Sequence, residues 1–282
     1  MSNLISAEAL QLLLTQRAPV RLLDVRWHLD HPDGRADYLA GHLPDAVFVA
    51  LDSELATHGA PAEGRHPLPS HEVLQQAARR WGLGDGDIVV AYDDNGSVPA
   101  ARAWWLLRRT GVDVRVLDGG LGAWKAAGFD LEDGDVTPTP GDVTLCDSRE
   151  GELTIDEAAA FPAHGVLLDV RAPARYRGET EPLDPIAGHS PGAINLPASD
   201  QIAADGRLKA PAELSAAFAN VGVTEGTPVA AYCGSGVNAA FMALALAEIG
   251  IAAQLFSGSW SSWSNTPGRP VAVGASPDGE RA

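Results

Sequence analysis

The sequence predicts an α/β fold made of two tandem domains, each a parallel sheet flanked by helices. Two observations support this prediction: the chain repeats itself once, and each copy alternates short apolar runs with segments of helical spacing. With 282 residues, of which 45% are hydrophobic and 20% charged, the chain is long enough to bury two cores. The period is too long for a solenoid, whose repeats span about 20–50 residues.

Four landmarks recur in the same order in both halves of the chain. They are LLDVR (22–26 and 167–171), GHLP or GHSP (41–44 and 188–191), VVAYDDNGS or VAAYCGSGV (89–97 and 229–237) and a tryptophan (124 and 263). The separation falls from 147 residues at the second landmark to 140 at the third. The first copy therefore carries about seven extra residues between His42 and Tyr92.

The first copy begins with an apolar run at 20–25, which we predict as a strand. Residues 71–81 have helical spacing, and residues 87–92 are typical of a buried strand. A helix at 99–110 and a strand at 114–117 complete the predicted elements. Apolar strands separated by helices indicate a parallel sheet, because crossover helices cover both of its faces.

The second copy repeats this alternation of strands and helices. Its predicted elements are, in order, 165–170, 212–221, 228–232, 238–249 and 252–256. Between the copies, GDVTPTPGD at 134–142 has the composition of a linker. We therefore predict an N-terminal domain at 1–133, a linker at 134–150, a C-terminal domain at 151–273 and a tail at 274–282.

The charge excludes two classes of partner. The formal net charge of −17 repels nucleic acid and anionic membrane surfaces, so we expect neither as a partner. The N-terminus lacks the basic region of a signal peptide, and the longest apolar stretch, 237–247, is too short to cross a bilayer. Two cysteines cannot form a disulfide framework. A cytoplasmic location is the expectation.

The loop CGSGVN joins a predicted strand to a predicted helix, where parallel α/β sheets bind their ligands. Backbone N–H groups and the helix N-terminus at this position stabilise a cysteine thiolate. The alternative is a small, inert, buried cysteine, but the flanking glycines and the helix start favour a nucleophile at Cys233. The loop residues expected to bind substrate are Gly234, Gly236, Val237 and Asn238.

These motifs carry a resemblance to a known family. The two tandem copies, the CGSGV loop, RYRGETEP at 175–182, GHSPGAINLP at 188–197 and the closing segment from Gly258 to Val271 resemble the rhodanese superfamily. The resemblance covers nearly the whole chain and implies a two-domain sulfurtransferase. It implies a persulfide on Cys233 and no metal or organic cofactor. The first copy has Asp93 at the cysteine position, so it resembles the inactive N-terminal domain of the family.

The loop sequence bears on the sulfur donor. CGSGV is similar to the loop of 3-mercaptopyruvate sulfurtransferases, whereas rhodaneses that prefer thiosulfate carry Arg and Lys after the cysteine. We therefore expect 3-mercaptopyruvate as the small anionic donor, with thiosulfate as the alternative. The expected acceptor is cyanide or a thiol, such as a small thiol or a thioredoxin-like protein. A non-catalytic sulfur carrier is a further alternative.

Two other cysteine chemistries are disfavoured by single residues. A cysteine phosphatase requires an arginine six positions after the nucleophile, where this chain has Ala239. A thiol–disulfide oxidoreductase commonly has a second cysteine three positions on, where this chain has Gly236.

The resemblance also implies a relay of Ser235, His66 and Asp52. His66 lies in GRHPLP, within the extra residues of the first copy, and Asp52 lies in VALDSEL. An imidazole between a hydroxyl and a carboxylate can move a proton near neutral pH. The alternatives are that His66 is a solvated loop residue and that Asp52 caps a turn or helix.

Arg175 corresponds to a substrate-binding arginine of the family, because a guanidinium holds a carboxylate with two hydrogen bonds. Its alternative role is an ion pair at the surface of this acidic chain. Related enzymes have a second arginine in an EPEPR-type segment, but this chain reads EPLDP at 181–185. The second guanidinium is therefore missing from its expected place, and Arg177 is a candidate replacement.

Other prominent residues are predicted to be structural. An Asp and an Arg end the first strand of both copies (Asp24 and Arg26, Asp169 and Arg171), so they are expected to hold loops together. Trp260 and Trp263 are expected in the core. Cys146 lies in the linker and is assigned no role.

Overall fold

A computed structural model describes residues 2–281 and divides them into two compact units. The first unit contains the chain up to Thr57, Leu68–Glu150 and Ile202–Leu208. The second contains His58–Pro67, Gly151–Gln201 and the chain from Lys209 onward. Each unit is thus assembled from segments that are not contiguous in sequence, and the predicted linker at 134–150 belongs to the first.

The first unit is built on a parallel sheet of five strands. The strands are β1 (Leu4–Ile5), β2 (Val20–Asp24), β3 (Val47–Phe48), β4 (Ile88–Tyr92) and β5 (Asp113–Leu117). The helices are α1 (Ala7–Thr15), α2 (Arg35–Ala40), α3 (Leu51–Glu54), α4 (His71–Arg80), α5 (Val98–Arg108) and α6 (Gly120–Ala126). The strand order is β1-β5-β4-β2-β3, and every pair is parallel. The predicted α/β fold is confirmed here.

The second unit repeats this plan with a parallel sheet of four strands, in the order β7-β6-β8-β9. Its strands are β6 (Val166–Asp169), β7 (Ile194–Asn195), β8 (Val229–Tyr232), β9 (Ala253–Leu255), β10 (Ala272–Val273) and β11 (Glu280–Arg281). Its α-helices are α7 (Ile155–Ala160), α8 (Pro173–Tyr176), α9 (Pro211–Ala219), α10 (Val237–Glu248) and α11 (Ser259–Asn265). Its 3-10 helices are Pro61–Glu63, Phe161–Ala163 and Ala198–Gln201.

Residues 274–281, the described part of the predicted tail, pack on the second unit. β11 pairs antiparallel with β10. The carbonyl oxygen of Pro277 accepts a hydrogen bond from the Gly192 N–H at 2.8 Å and lies 3.2 Å from Nε2 of His189. These bonds tie the end of the chain to the loop that precedes β7.

The central strands of each unit end at the same level. Asp24 pairs with Tyr92 between β2 and β4, and Asp169 pairs with Tyr232 between β6 and β8. In a parallel sheet the loops that follow such strands open at one edge. The loop beginning at Cys233 therefore leaves the carboxyl end of β8, as the sequence predicts.

The core of the second unit contains both tryptophans that the sequence assigns to it. Trp260 and Trp263 are buried in one cluster with Phe161, Leu167 and Tyr232. Each indole N–H is satisfied: Trp260 donates to the Ile186 carbonyl at 2.8 Å and Trp263 to the Pro270 carbonyl at 2.9 Å. Within residues 2–281, the longest helix is α10 with 12 residues, and none has the length and apolarity to span a bilayer.

Candidate active site

The Cys233 side chain sits at the bottom of a tight loop between β8 and α10. The residue is 3% exposed, and its Sγ accepts a hydrogen bond from the Gly236 N–H at 3.1 Å. A backbone N–H aimed at the sulfur places a partial positive charge beside it. The loop thus has the geometry expected for a nucleophile.

The start of α11 holds this loop in place. The Trp260 N–H donates to the Cys233 carbonyl at 3.0 Å, and the Ser261 N–H donates to the Gly234 carbonyl at 2.9 Å. These are N–H groups of a first helical turn, which have no partner inside the helix. The first two carbonyls of the loop are therefore fixed by another element of the same unit.

Ser259 is a site residue that the sequence analysis missed. Its Oγ accepts a hydrogen bond from the Cys233 N–H at 3.0 Å and donates to the Phe256 carbonyl at 3.0 Å. Because a hydroxyl has one proton, the longer contact of 3.9 Å to the Cys233 Sγ is not a second donated bond. Ser259 has a φ of 55°, which a residue with a side chain adopts at a cost. Its only sequence signal is the repeated tryptophan segment.

Residues 58–67, which precede α4 in sequence, fold with the second unit. The Ser262 hydroxyl donates to the Ala62 carbonyl at 2.7 Å. Gly64 has a φ of 92°, and a Cβ there would lie 2.7 Å from the Gly258 carbonyl oxygen. The close approach of the two backbones requires glycine at this position. The segment is thereby packed against the start of α11.

This packing brings His66 to the cysteine loop. Nδ1 of His66 lies 2.7 Å from Oγ of Ser235, a hydrogen bond between residues 169 positions apart in sequence. The contact matches two members of the relay implied by the resemblance. Asp52 lies on α3 in the first unit, where its Oδ1 accepts a hydrogen bond from Nε1 of Trp27 at 3.0 Å. The role of Asp52 stays a prediction.

Arg175 lies beside the loop and is also ion-paired. Its Nη2 is 2.6 Å from Glu181 and 3.3 Å from Asp184. Its Nη1 lies 3.3 Å from where a Cβ on Gly234 would be. The guanidinium is thus paired with two buried carboxylates and adjoins the cysteine loop, and its contact with a substrate stays a prediction.

Arg65 is a second guanidinium that the sequence analysis did not anticipate. Its Nη2 lies 3.0 Å from the Cβ position of Gly234, and its Nη1 forms an ion pair with Asp184. Its only sequence signal is that it directly precedes His66. By contrast, Arg177 pairs with Glu179, and both side chains are exposed.

The remaining predicted binding residues are part of the loop and the first turn of α10. Gly234, Gly236 and Val237 are buried, whereas Asn238 is exposed. Their contacts with a substrate stay predictions. Within residues 2–281, no cluster of three or more His, Cys, Asp or Glu side chains is placed to hold a metal ion. Cys146 is exposed and lies in the first unit.

The paired Asp and Arg at the strand ends are structural, as predicted. In the second unit, Nη2 of Arg171 is 2.6 Å from Asp169 and donates to the Gly188 carbonyl at 2.6 Å. In the first unit, Nη2 of Arg26 donates to the Gly41 carbonyl at 2.8 Å. In both units the arginine ties the end of a central strand to the glycine of the GH landmark.

The second unit thus collects three chemical functions around one loop. Cys233 is the predicted nucleophile, and the hydrogen-bonded Ser235 and His66 are the predicted proton-transfer pair. The guanidinium groups of Arg65 and Arg175 can bind an anion. Such a site suits the attack of a thiolate on a small anionic molecule whose leaving group needs a proton.

Comparison with known protein families gives one match in each copy of the repeat. The family profile described as Rhodanese-like domain matches residues 6–127 and 154–266. A 48% identical protein of Mycobacterium tuberculosis (strain H37Rv) is provisionally named a thiosulfate sulfurtransferase, SseB. The similarity covers 96% of this chain and 97% of that protein. A Pseudomonas aeruginosa protein provisionally named a 3-mercaptopyruvate sulfurtransferase is 42% identical over 94% of this chain and 98% of its own length.

A solved structure shows the same architecture. The crystal structure of SseA from Escherichia coli, described as a 3-mercaptopyruvate sulfurtransferase with the rhodanese fold, superposes with a TM-score of 0.79. The two chains are 30% identical, and the match covers 92% of this chain and 99% of SseA.

Proposed function

The chain belongs to the rhodanese family, and on this premise we propose that it is a sulfurtransferase with 3-mercaptopyruvate as its sulfur donor. In this proposal Cys233 takes the sulfur as a persulfide and passes it to a thiol or to cyanide. The observation that carries the proposal is the 2.7 Å hydrogen bond between Ser235 and His66 on the loop that holds Cys233. A proton-transfer pair is needed for a thiol donor, because its carbon leaving group must be protonated.

The first half-reaction moves one sulfur and one proton. The Cys233 thiolate attacks the thiol sulfur of 3-mercaptopyruvate, an S–S bond forms, and the C–S bond breaks with its electron pair going to carbon. The leaving group is the enolate of pyruvate, which takes up the proton that the donor thiol loses. Ser235 and His66 are the groups proposed to carry that proton. Arg175 is proposed to hold the donor carboxylate.

The second half-reaction restores the cysteine. The acceptor thiolate attacks the outer sulfur of the persulfide, a new S–S bond forms, and the Cys233 thiolate leaves. With cyanide the product is thiocyanate. We propose a small thiol or a thioredoxin-like protein as the physiological acceptor, in a cytoplasmic setting where thiols stay reduced. No metal or organic cofactor is required by these steps.

Thiosulfate is the second candidate donor. It is favoured by the 48% identity to the protein provisionally named a thiosulfate sulfurtransferase. It is also an anion that guanidinium groups bind. Thiosulfate cleavage releases sulfite and moves no proton from a donor thiol, so it gives the pair of Ser235 and His66 no task. We therefore place 3-mercaptopyruvate first.

The test is a measurement of intact mass on the Cys146→Ser protein after incubation with each donor. The proposal requires a gain of one sulfur atom, about 32 Da, that is absent when Cys233 is also changed to Ser. A comparison of kcat/KM for the two donors then decides between them. A preference for thiosulfate would overturn the donor assignment, and no sulfur on Cys233 with either donor would overturn the proposed function. A persulfide that forms but does not turn over with excess acceptor would indicate a sulfur carrier.

A further inference from the structure

Six charged side chains of the second unit form one chain of alternating ion pairs. In order they are Asp169, Arg171, Glu181, Arg175, Asp184 and Arg65. The four contacts from Asp169 to Asp184 span 2.6–3.3 Å. Among the described residues, Arg171 and Arg175 each have two carboxylate partners, whereas Arg65, the last member of this series of ion pairs, has one. Arg65 is therefore the guanidinium with the most unused hydrogen-bond donors.

One unused donor group of Arg65, Nη2, lies beside the cysteine loop. Its Nη2 and the Nη1 of Arg175 are the nearest atoms to a Cβ built on Gly234, at 3.0 and 3.3 Å. The Nε of Arg65 is buried and has no hydrogen-bond partner among the described residues. A buried N–H without a partner is costly, and a ligand that accepts from it removes the cost. The side chain is still 26% exposed, so it is not sealed off from small molecules.

Asp184 links the two guanidinium groups with one carboxylate. Its Oδ1 contacts Nη1 of Arg65, and its Oδ2 lies 3.3 Å from Nη2 of Arg175. The Asp184 side chain is only 1% exposed, and burial raises the pKa of its carboxyl group. Asp184 lies in the EPLDP segment, where related enzymes carry their second arginine. This segment therefore supplies a carboxylate and no arginine.

We infer that Arg65 and Arg175 form a two-guanidinium subsite for the carboxylate of the donor, and that Asp184 is its internal counter-ion. Arg65, delivered by residues 58–67, takes the place of the arginine that is missing from 181–185. The donor carboxylate shares or displaces the bonds that Asp184 makes to the two guanidinium groups. The inference rests on the proposed function for the identity of the donor, but the subsite binds small carboxylates as a class.

The inference predicts opposite effects for two substitutions in one ion pair. Arg65→Ala removes donors from the subsite and should weaken the binding of a carboxylate. Asp184→Asn keeps the shape of the side chain but removes the competing charge, so it should strengthen that binding. If the pair only anchored residues 58–67, both changes would loosen the same contact and act in the same direction.

The probe is a pair of alkylating reagents, iodoacetate and iodoacetamide, used on the Cys146→Ser protein. In both cases the Cys233 thiolate attacks the methylene carbon, an S–C bond forms, the C–I bond breaks and iodide leaves. The reagents differ in that only iodoacetate carries a carboxylate. The ratio of their rate constants, followed by intact mass, therefore reports recognition of the carboxylate and cancels changes in the reactivity of the sulfur.

We expect Arg65→Ala to lower the iodoacetate-to-iodoacetamide ratio by about tenfold, since a charge-assisted hydrogen bond is lost. Arg65→Lys should retain part of the ratio, and Asp184→Asn should raise it. Arg177→Ala is the matched control, because Arg177 is an exposed arginine of the same unit that pairs with Glu179. This control tests whether the loss of any positive charge is enough to lower the ratio. Thermal unfolding of each variant checks that it is folded.

Two outcomes would overturn the inference. One is an unchanged ratio in folded Arg65→Ala, and the other is a fall in the ratio with both Arg65→Ala and Asp184→Asn. If Arg65→Lys alone is folded, an unchanged ratio in that variant counts against the subsite. Neither reagent donates sulfur, so this test is independent of the proposed function. If the ratios are as expected but 3-mercaptopyruvate leaves no persulfide on Cys233, the subsite is retained and the proposed function is rejected.

Discussion

Asp93 in the first unit and Cys233 in the second occupy the same place in the repeated fold. Each directly follows the last residue of a buried central strand, β4 or β8. The carbonyl of Asp93 accepts a hydrogen bond from the Leu121 N–H at 2.8 Å, as the carbonyl of Cys233 does from the Trp260 N–H at 3.0 Å. The backbone around the two positions is therefore held in the same way.

The side chain at this position differs in charge and chemistry. The Asp93 carboxylate accepts hydrogen bonds from the backbone N–H groups of Asn95, Ser97 and Ala100 at 2.8–2.9 Å. In the first unit the N–H groups of this loop are thus occupied by the Asp93 carboxylate. We expect no sulfur transfer there, because a carboxylate cannot form a persulfide.

The burial of Asp93 predicts a pH dependence of stability. Burial, only partly opposed by the three N–H groups, raises the pKa of Asp93 to about 6 from 3.8. Between these values the folded protein binds the proton and the unfolded protein does not, so stability falls as the pH rises. Relative to Asp93→Asn, the wild-type free energy of unfolding should fall by about 2 kcal/mol between pH 4 and pH 7.

Urea unfolding of both proteins at several pH values measures this difference, and the subtraction removes the titration of other groups. A difference between the two proteins that is flat across this range would mean that Asp93 is ionised throughout.

His66 is predicted to transfer the proton of the donor thiol and not to take part in the attack on the donor sulfur. Changing His66 to Ala should lower kcat with 3-mercaptopyruvate by about 10²–10⁴-fold, the usual effect of removing a positioned acid–base group. Persulfide formation from thiosulfate should change far less, because that donor has no thiol proton to move. His58→Ala is the control, since His58 is an exposed histidine of the same segment. Equal losses with both donors would assign His66 a structural role.

Ser259 is predicted to be strained and to stabilise the cysteine loop. Ser259→Ala leaves the buried Cys233 N–H without its acceptor, which costs about 1–3 kcal/mol. Ser259→Gly loses the same bond but adopts the φ of 55° without a Cβ clash, as Gly120 does at 53° in the first unit.

The glycine variant should therefore be more stable than the alanine variant by up to about 1 kcal/mol. This figure already subtracts the entropy that glycine adds to the unfolded chain. Urea midpoints with unchanged m-values measure this difference. An alanine variant as stable as the glycine variant would show that the backbone at 259 is not strained.

Gly234 is predicted to be necessary for the arginine pair and not for folding. In Gly234→Ala the three atoms nearest to the new Cβ are all at the ends of two flexible side chains, those of Arg65 and Arg175. Both guanidinium groups must move, so KM for an anionic donor should rise on the order of tenfold while the thermal midpoint changes little. Gly122→Ala is the control, since a Cβ on Gly122 meets nothing within 4 Å. An unchanged KM would mean that the guanidinium groups do not contact the donor.

The sequence alone was sufficient for the two parallel sheets and for the prediction of Cys233 as the nucleophile. Both depend on local order in the chain: an apolar run predicts a buried strand, and strand, glycine loop and helix follow one another without a gap around Cys233. The repeat supports the same prediction a second time, since Asp93 and Cys233 are found at one position of the same pattern. Short strands such as β3 and β7, with two residues each, were not predicted because two residues show no periodicity.

The tertiary structure alone decided what surrounds the sulfur. Ser259 reaches Cys233 across 26 residues, Arg65 reaches Asp184 across 119, and His66 reaches Ser235 across 169. The resemblance anticipated the last of these pairs by analogy, but no local pattern indicates the first two. Such contacts depend on where residues 58–67 and α11 pack, and packing follows from the burial of whole surfaces and not from the order of neighbouring residues.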